Sequence, residues 1–329
     1  MEPFLEWLGR QGHTVVRTSS TYWYEASPRI YQAVPYDHEI VPSAEEIQRL
    51  LLDQYAIGLR YSTPVDKTEG RLSYHVVNTN KDYDLAQLPK KARYDVRQGM
   101  EYAGVEPIPF SRLAEEGWSL REHTLERQGR TGAETRAWWD RLCRSAEGLP
   151  GFETWAAIHD GQLVASLIAC TIDGCCSVLY QQSLTDALPH GVNNVLTYCF
   201  TKATMARPGV TKVFYGLGSL DASENVDRFK FRMNYSAQPV RQRVVFHPWI
   251  RWLFNGMSHG LLRAAKRRWP ERSAISKAEG MLRFYLEGKK PLAEQTWPDC
   301  LAERRTQLLT PPLLSQRAAE TATQAEPTG

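Results

Sequence analysis

The side chains able to do chemistry fall in four places. The segment DRFKFRMN puts Lys230 three residues after Asp227, with Asp221 and Glu224 just ahead of it. A compact ammonium on a flexible stem can stabilise developing negative charge, and the carboxylates are candidate proton acceptors. The same segment also reads as an amphipathic helix with solvated basic residues, and carboxylates at a helix start commonly serve its dipole. In KKARYDVRQ the basic residues are Lys90, Lys91, Arg93 and Arg97, and Arg93 and Arg97, four apart, share a face. Lys90, Arg93 and Arg97 suit a phosphate-bearing acceptor such as a nucleotide-sugar or lipid-linked sugar, or form a solvated face. PHGVNN places Gly191, Asn193 and Asn194 where a helix begins. That is either a ring of backbone N–H groups at a positive helix end or an ordinary loop and cap. The stretch WIRWLFNGMSHGLLRAAKRRW, 249–269, spaces Ile250, Leu253, Phe254, Met257, Leu261 and Ala265 along one helical face beside Trp249 and Trp252. Arg251, Arg263, Lys266, Arg267 and Arg268 are its charges, with no acid before Glu271. Such a helix either lies on an anionic membrane or packs its apolar face on the core.

Other chemistries are absent as patterns. YGLGSLD has Gly216 and Gly218, but Asp221 occupies the third glycine's place, so no dinucleotide fingerprint forms. No phosphate-binding P-loop, G-x-S-x-G elbow or H-E-x-x-H pair occurs. None of the six cysteines forms a C-x-x-C pair, and Cys175 and Cys176 are adjacent, so buried reduced thiols and no metal are expected. The net charge of +3 gives no ground for expecting DNA as a partner. The opening MEPFLEWLGRQGH has no leader pattern, and no apolar run approaches the roughly 20 residues of a membrane span. A soluble cytoplasmic protein is the expectation.

A chain of 329 residues, 42% of them hydrophobic and 11% aromatic, can build more than one core. EPFLEWLGRQG reads as a helix, TVVRTSSTYWYEA and RIYQAVPY as extended runs, SAEEIQRLLLDQYA as a helix capped by Ser43, and GLRYSTP and LSYHVVNT as strands. KKARYDVRQGMEYAGV reads as a helix, VEPIPF as a strand, and SLREHTLERQGR and ETRAWWDRLCRSAEG as two helices. Asp-Gly pairs at 160–161 and 173–174 predict an antiparallel meander of three strands. NNVLTYCFTKATMARPG is then a helix, VTKVFYGLG a strand, SENVDRFKFRMNY a helix capped by Ser223, and QPVRQRVVFHP a last strand. From about residue 310 the composition predicts disorder.

From 105 to 248 this order is similar to the GNAT acyltransferase fold. LPKKARYDVRQGMEYAGV, with Lys91, Arg93, Arg97 and Gly104, resembles the segment that opens the second half of the Fem-type aminoacyltransferases. DRFKFRMNY resembles the Phe-Lys-x-x-Phe-Gly helix of that group: Phe229 and Lys230 match, while Met233 and Asn234 replace the second Phe and the Gly. VFYGLGS resembles its strand ending, with Gly216 where Asp is usual. The likeness covers about 84–248. It implies an α/β (α+β) tandem GNAT-like fold with a mixed, mostly antiparallel sheet flanked by helices. The divisions expected are a degenerate first half at 1–83, a complete acyltransferase half at 84–248, a helical extension at 249–309 and a tail at 310–329.

The same resemblance implies an N-acyltransferase that moves an acyl group from acyl-CoA to an amine acceptor, soluble or lipid-linked, with a cell-envelope precursor among the candidates. Lys230 would stabilise the tetrahedral intermediate and Tyr180 would protonate the leaving group. Gly191, Asn193 and Asn194 would hold the donor, and Lys90, Arg93, Arg97 and Phe229 the acceptor. The usual Arg/Gln-x-x-Gly-x-Gly/Ala phosphate loop is missing, as in the Fem-type branch. An aminoacyl-tRNA donor is therefore the alternative, and tRNA is a partner only in that case. A third possibility is a non-catalytic binding or membrane-peripheral module. Peripheral contact with an anionic membrane would run through 249–269.

Overall fold

Among the described residues, apolar runs and turn signals produce eleven strands, and all of them join one sheet. The computed structural model describes residues 1–130, 132–218, 224–269 and 272–310. The first half contains α1 (Glu2–Arg10), β1 (Val15–Arg17), β2 (Tyr22–Ser27), β3 (Ile30–Val34), α2 (Ala44–Asp53), β4 (Gly58–Thr63) and β5 (Arg71–Asn78). The second contains α3 (Lys90–Tyr102), β6 (Gly104–Ile108), α4 (Phe110–Glu116), α5 (Trp118–Arg127), α6 (Arg136–Ala146), β7 (Phe152–His159), β8 (Gln162–Ile172) and β9 (Cys175–Ser183). It continues with α7 (Val192–Met205), β10 (Lys212–Leu217), α8 (Glu224–Arg232) and β11 (Ser236–Phe246). Beyond it lie α9 (Gly256–Arg268), α10 (Ser273–Glu287) and α11 (Arg305–Leu309), with short 3-10 turns between them.

The Asp-Gly meander is present as β7–β8–β9. Asp160, Gly161, Asp173 and Gly174 all take positive φ, between 46° and 80°, the backbone that a two-residue hairpin turn requires. Ser43 caps α2 by accepting from the Glu46 amide. Three expectations need correction. TVVRTSSTYWYEA is a hairpin, because the Thr18 amide bonds the Thr21 carbonyl and turns the run back. Three helices, not two, lie between β6 and β7, since Phe110–Glu116 is helical and buries Phe110, Leu113 and Ala114. The stretch 249–269 is broken: a 3-10 turn at Arg251–Leu253 ends at Phe254, and Asn255 caps a new helix by accepting from the Met257 and Ser258 amides. Ser223 and the tail from 311 onward lie outside the described residues.

The strand order is β1-β2-β3-β4-β11-β5-β10-β9-β8-β7-β6. Pairing is antiparallel except at β3–β4 and β9–β10. In each half a helix, α2 or α7, crosses between those two parallel strands, so the halves repeat one motif in tandem. Their last strands are exchanged. β11 of the second half lies between β4 and β5 of the first, and β5 lies between β11 and β10 of the second. Helices cover both faces. α3 and α7 bury Val96, Val192 and Leu196 on one side, while α1, α4 and α6 bury Trp7, Leu113 and Trp139 on the other.

Candidate active site

In the second half, β9 and β10 pair only at Cys175–Ser177 with Lys212–Phe214 and then diverge. Each strand carries one extra residue at the divergence. Leu179 is unmatched between Val178 and Tyr180 against β8, and Tyr215 is unmatched between Phe214 and Gly216 against β5. A bulge bends its strand and re-aims side chains, and two facing bulges open a wedge. The wedge is a cavity of about 330 Å³ lined by Tyr180, Gln181, Asn193, Tyr215, Phe229 and Lys230. The Tyr215 hydroxyl donates to Gln181 Oε1 across its mouth.

Lys230 comes from α8 and is only 9% exposed. Its Nζ donates to Asp227 Oδ1 at 2.9 Å and lies 5.1 Å from the centre of the Tyr215 ring. The other Asp227 oxygen accepts from the Tyr74 hydroxyl at 2.7 Å. Burial and this carboxylate push the Tyr74 phenol far above its ordinary range, so it stays a donor. Gly216 has φ +124°, where an L side chain is strained, and a Cβ there would come within 3.8 Å of Lys230 Nζ. The positive φ at Gly216 is what calls for glycine there, and Asp227 supplies Lys230 with its carboxylate from one helical turn away.

Lys230 also lines a larger cavity of about 660 Å³. Its floor is β3, β4 and the end of β11, with Ile30, Arg60 and Phe246. Its roof is the C-terminal segment, with Phe254, Leu262, Met281 and Leu282 turned inward. Asp227 lines this cavity and not the wedge. One ion pair therefore stands between two hollows.

The structure brings Lys230, Tyr180, Asn193 and Phe229 to the wedge and separates the rest. Tyr180 packs near Trp138 and Arg121, and burial raises its phenol well above the usual value. Asn193 accepts from Gln181 Nε2 at 3.3 Å and donates to Ser183 Oγ at 3.2 Å. Asn194 instead turns to α8, where its amide meets Met233 Sδ at 3.5 Å. Gly191 has φ +72°, and a Cβ on it would sit 2.2 Å from the Asp95 carbonyl. Close approach of α3 to α7 thus requires this glycine. Lys90, Arg93 and Arg97 line neither cavity at Lys230; Lys90 and Arg97 are exposed, and Arg93 donates to the Ala86 carbonyl at 3.3 Å. Asp221 and the side chain of Glu224 lie outside the described residues. Arg127, which sequence reasoning missed, bonds Ser183 and Thr185 at the wedge. Tyr74 was missed too. Its only signal was a tyrosine between the polar residues Ser73 and His75 in a strand.

Among the described residues, no group of His, Cys, Asp and Glu could hold a metal ion. The six cysteines are free, and burial pushes the Cys170 and Cys176 thiols up to about 12. No protein-family model and no curated protein matches the sequence. Solved structures do. FemX superposes with a TM-score of 0.54, at 12% identity, over 77% of this chain and 93% of its own. The chain has the Fem-type, GNAT-like fold. L-PGS from Bacillus licheniformis aligns more loosely, with TM-score 0.45, 14% identity, and coverage of 74% of this chain and 87% of its own. A GCN5-related N-acetyltransferase from Kribbella flavida gives 0.44, 13%, 75% and 93%. At such identities the likeness concerns the fold, and the reaction has to be argued from the site.

Proposed function

We propose that the protein is an acyltransferase whose donor binds in the β9–β10 wedge and whose acceptor binds in the larger apolar cavity. The observation that carries this reading is Lys230, which lines both hollows. Attack by an acceptor amine on the donor carbonyl forms the new C–N bond as the bond to the leaving thiolate or alkoxide breaks. Lys230 stabilises the oxyanion from its buried position, and one such donor is worth about 3 kcal/mol. Asp227, facing the acceptor side, positions Lys230 and takes the amine proton. Ile30, Phe246, Phe254 and Met281 favour an acceptor with an apolar portion, such as a lipid-linked amine.

For the donor, acyl-CoA is the first reading, because a cavity of about 330 Å³ suits an acyl group and the end of its thioester arm. An aminoacyl ester is the second reading, favoured by the missing phosphate loop in the sequence. Burial keeps the Tyr180 phenol protonated at the wedge, where it can donate to the departing group of either donor. Product formation followed by mass spectrometry, with acyl-CoAs and charged tRNA as donors and amphiphilic amines as acceptors, tests both. Lys230→Ala should lower kcat by roughly 10²-fold. Removing one partner of a buried ion pair destabilises the fold, so Lys230→Ala with Asp227→Asn is the folded control and should be equally inactive. A folded double variant with undiminished kcat would end the catalytic reading and leave a binding module.

A further inference from the structure

The C-terminal segment closes a third hollow, of about 460 Å³, against β5 and α8. Three guanidinium groups line it: Arg71 from β5, Arg228 from α8 and Arg283 from α10. Arg71 and Arg283 share one aromatic ring, their central carbons 4.5 and 5.4 Å from the centre of Phe284. The Arg71 guanidinium makes no hydrogen bond or ion pair with any described residue, and its Nε is wholly buried. Burial and the like charge of Arg283 hold it down at about 10. A guanidinium has five donors, and each buried donor left without an acceptor costs about 1–3 kcal/mol.

Among the described residues, the nearby carboxylates are already engaged. Asp227 serves Lys230 and Tyr74. Glu279, 3.5 Å from Arg283, is shared with His259 and Lys266 at 3.0 Å each. Glu287 holds Lys290 at 2.5 Å. Asp299 stands exposed at the rim. The hollow thus keeps an excess of positive charge in a half-buried place, beside the flat wall of Trp297, whose Nε1 is fixed on the Leu292 carbonyl at 3.1 Å.

We propose that this hollow binds a phosphate-bearing ligand, a phosphomonoester or pyrophosphate, through the forks of Arg71 and Arg283. Paired N–H groups in one plane match two phosphate oxygens, which gives Arg71 the acceptors that the protein withholds. The group attached to the phosphate lies against Trp297. Tyr74 and Asp227 also line this hollow, so it adjoins the transfer site, but the binding proposed does not depend on the transfer reaction.

Calorimetric titration of the full chain with inorganic pyrophosphate, with malonate as a dianion lacking phosphorus, reads binding without any donor or acceptor. Pyrophosphate should bind with submillimolar Kd and malonate at least tenfold more weakly. Arg71→Met, which keeps the apolar contact with Phe284, and Arg283→Gln should each weaken pyrophosphate at least tenfold. Arg97→Gln removes the same charge from exposed α3 and should leave binding unchanged, showing that net charge is not the cause. Uridine diphosphate and short-chain dihexanoyl phosphatidic acid separate the sources: whichever binds tighter identifies a soluble nucleotide or a lipid headgroup. No heat with millimolar pyrophosphate, or folded Arg71→Met and Arg283→Gln variants that bind it as the parent does, would overturn the proposal.

Discussion

His75 Nε2 and Ser62 Oγ lie 2.9 Å apart, the spacing of a base and its nucleophile. Yet Ser62 is 4% exposed and His75 1%, and neither lines any of the three hollows, so the pair belongs to the sheet interior. Burial holds His75 down at about 4, against 6.5 for the free side chain, with Lys212 and Arg60 adding to the fall and Asp37 opposing it. The folded state therefore keeps the ring neutral. Below pH 6.5 the unfolded chain takes a proton that the folded chain refuses, so stability present above 6.5 is lost as pH falls towards 4. The full effect is about 3 kcal/mol. Comparing urea unfolding of the parent and His75→Asn at pH 7.5 and 4.5 isolates it, because other acids titrate in both proteins. The parent's advantage should shrink on acidification; an unchanged difference would mean that His75 does not titrate in this range. Lys230 was legible in the sequence because a short motif carries it. Its support was not, since Tyr74 reaches Asp227 across 153 residues and no local pattern encodes that distance.

Local pattern did better with whole elements. The two Asp-Gly turns and the helix at Lys90–Tyr102 were readable because each is decided within a few residues. PHGVNN could be read as a phosphate loop or a cap because the deciding contact, with Asp95, lies on another helix. Gly191→Ala separates these roles: the Cβ at 2.2 Å from the Asp95 carbonyl, together with the positive φ, should cost at least about 1–3 kcal/mol of stability. A thermal melt indistinguishable from the parent's would show that α3 can yield. In the segment 249–269, Phe254 and Leu262 face the apolar cavity, while Trp252, Met257 and Leu261 are 71%, 79% and 69% exposed. No helix among the described residues is long and apolar enough to cross a membrane. We propose that this exposed edge and its arginines rest on an anionic bilayer, where each basic residue contributes about 1 kcal/mol. The protein should float with phosphatidylglycerol vesicles at low salt, not with phosphatidylcholine, and Trp252→Ser with Leu261→Ser should weaken flotation. Protein that stays at the bottom of the low-salt gradient would remove the membrane from the account of the acceptor.

At the scale of the whole molecule, the exchange of β5 and β11 decides how the protein must fold. The sequence shows two similar successions of elements, and a cut near residue 83 looks natural between them. Pairing partners of a strand are chosen by long-range packing, however, and neither β5 nor β11 carries a local mark of the half it will join. The consequence is mechanical. Residues 84–310 without β5 would leave β10 and β11 with facing edges unpaired, and residues 1–83 without β11 would leave a gap between β4 and β5. Open apolar edges of that kind pair with other chains. The site depends on the same exchange, because Tyr74 on β5 holds Asp227 on α8. Each fragment expressed alone should aggregate or stay unfolded. Mixing the two during refolding should restore one cooperative transition, followed by far-ultraviolet circular dichroism and tryptophan fluorescence at the same midpoint. If the 84–310 fragment is instead soluble, monomeric and melts cooperatively on its own, the second half is an independent domain, and the exchanged strands add stability without being required for the fold.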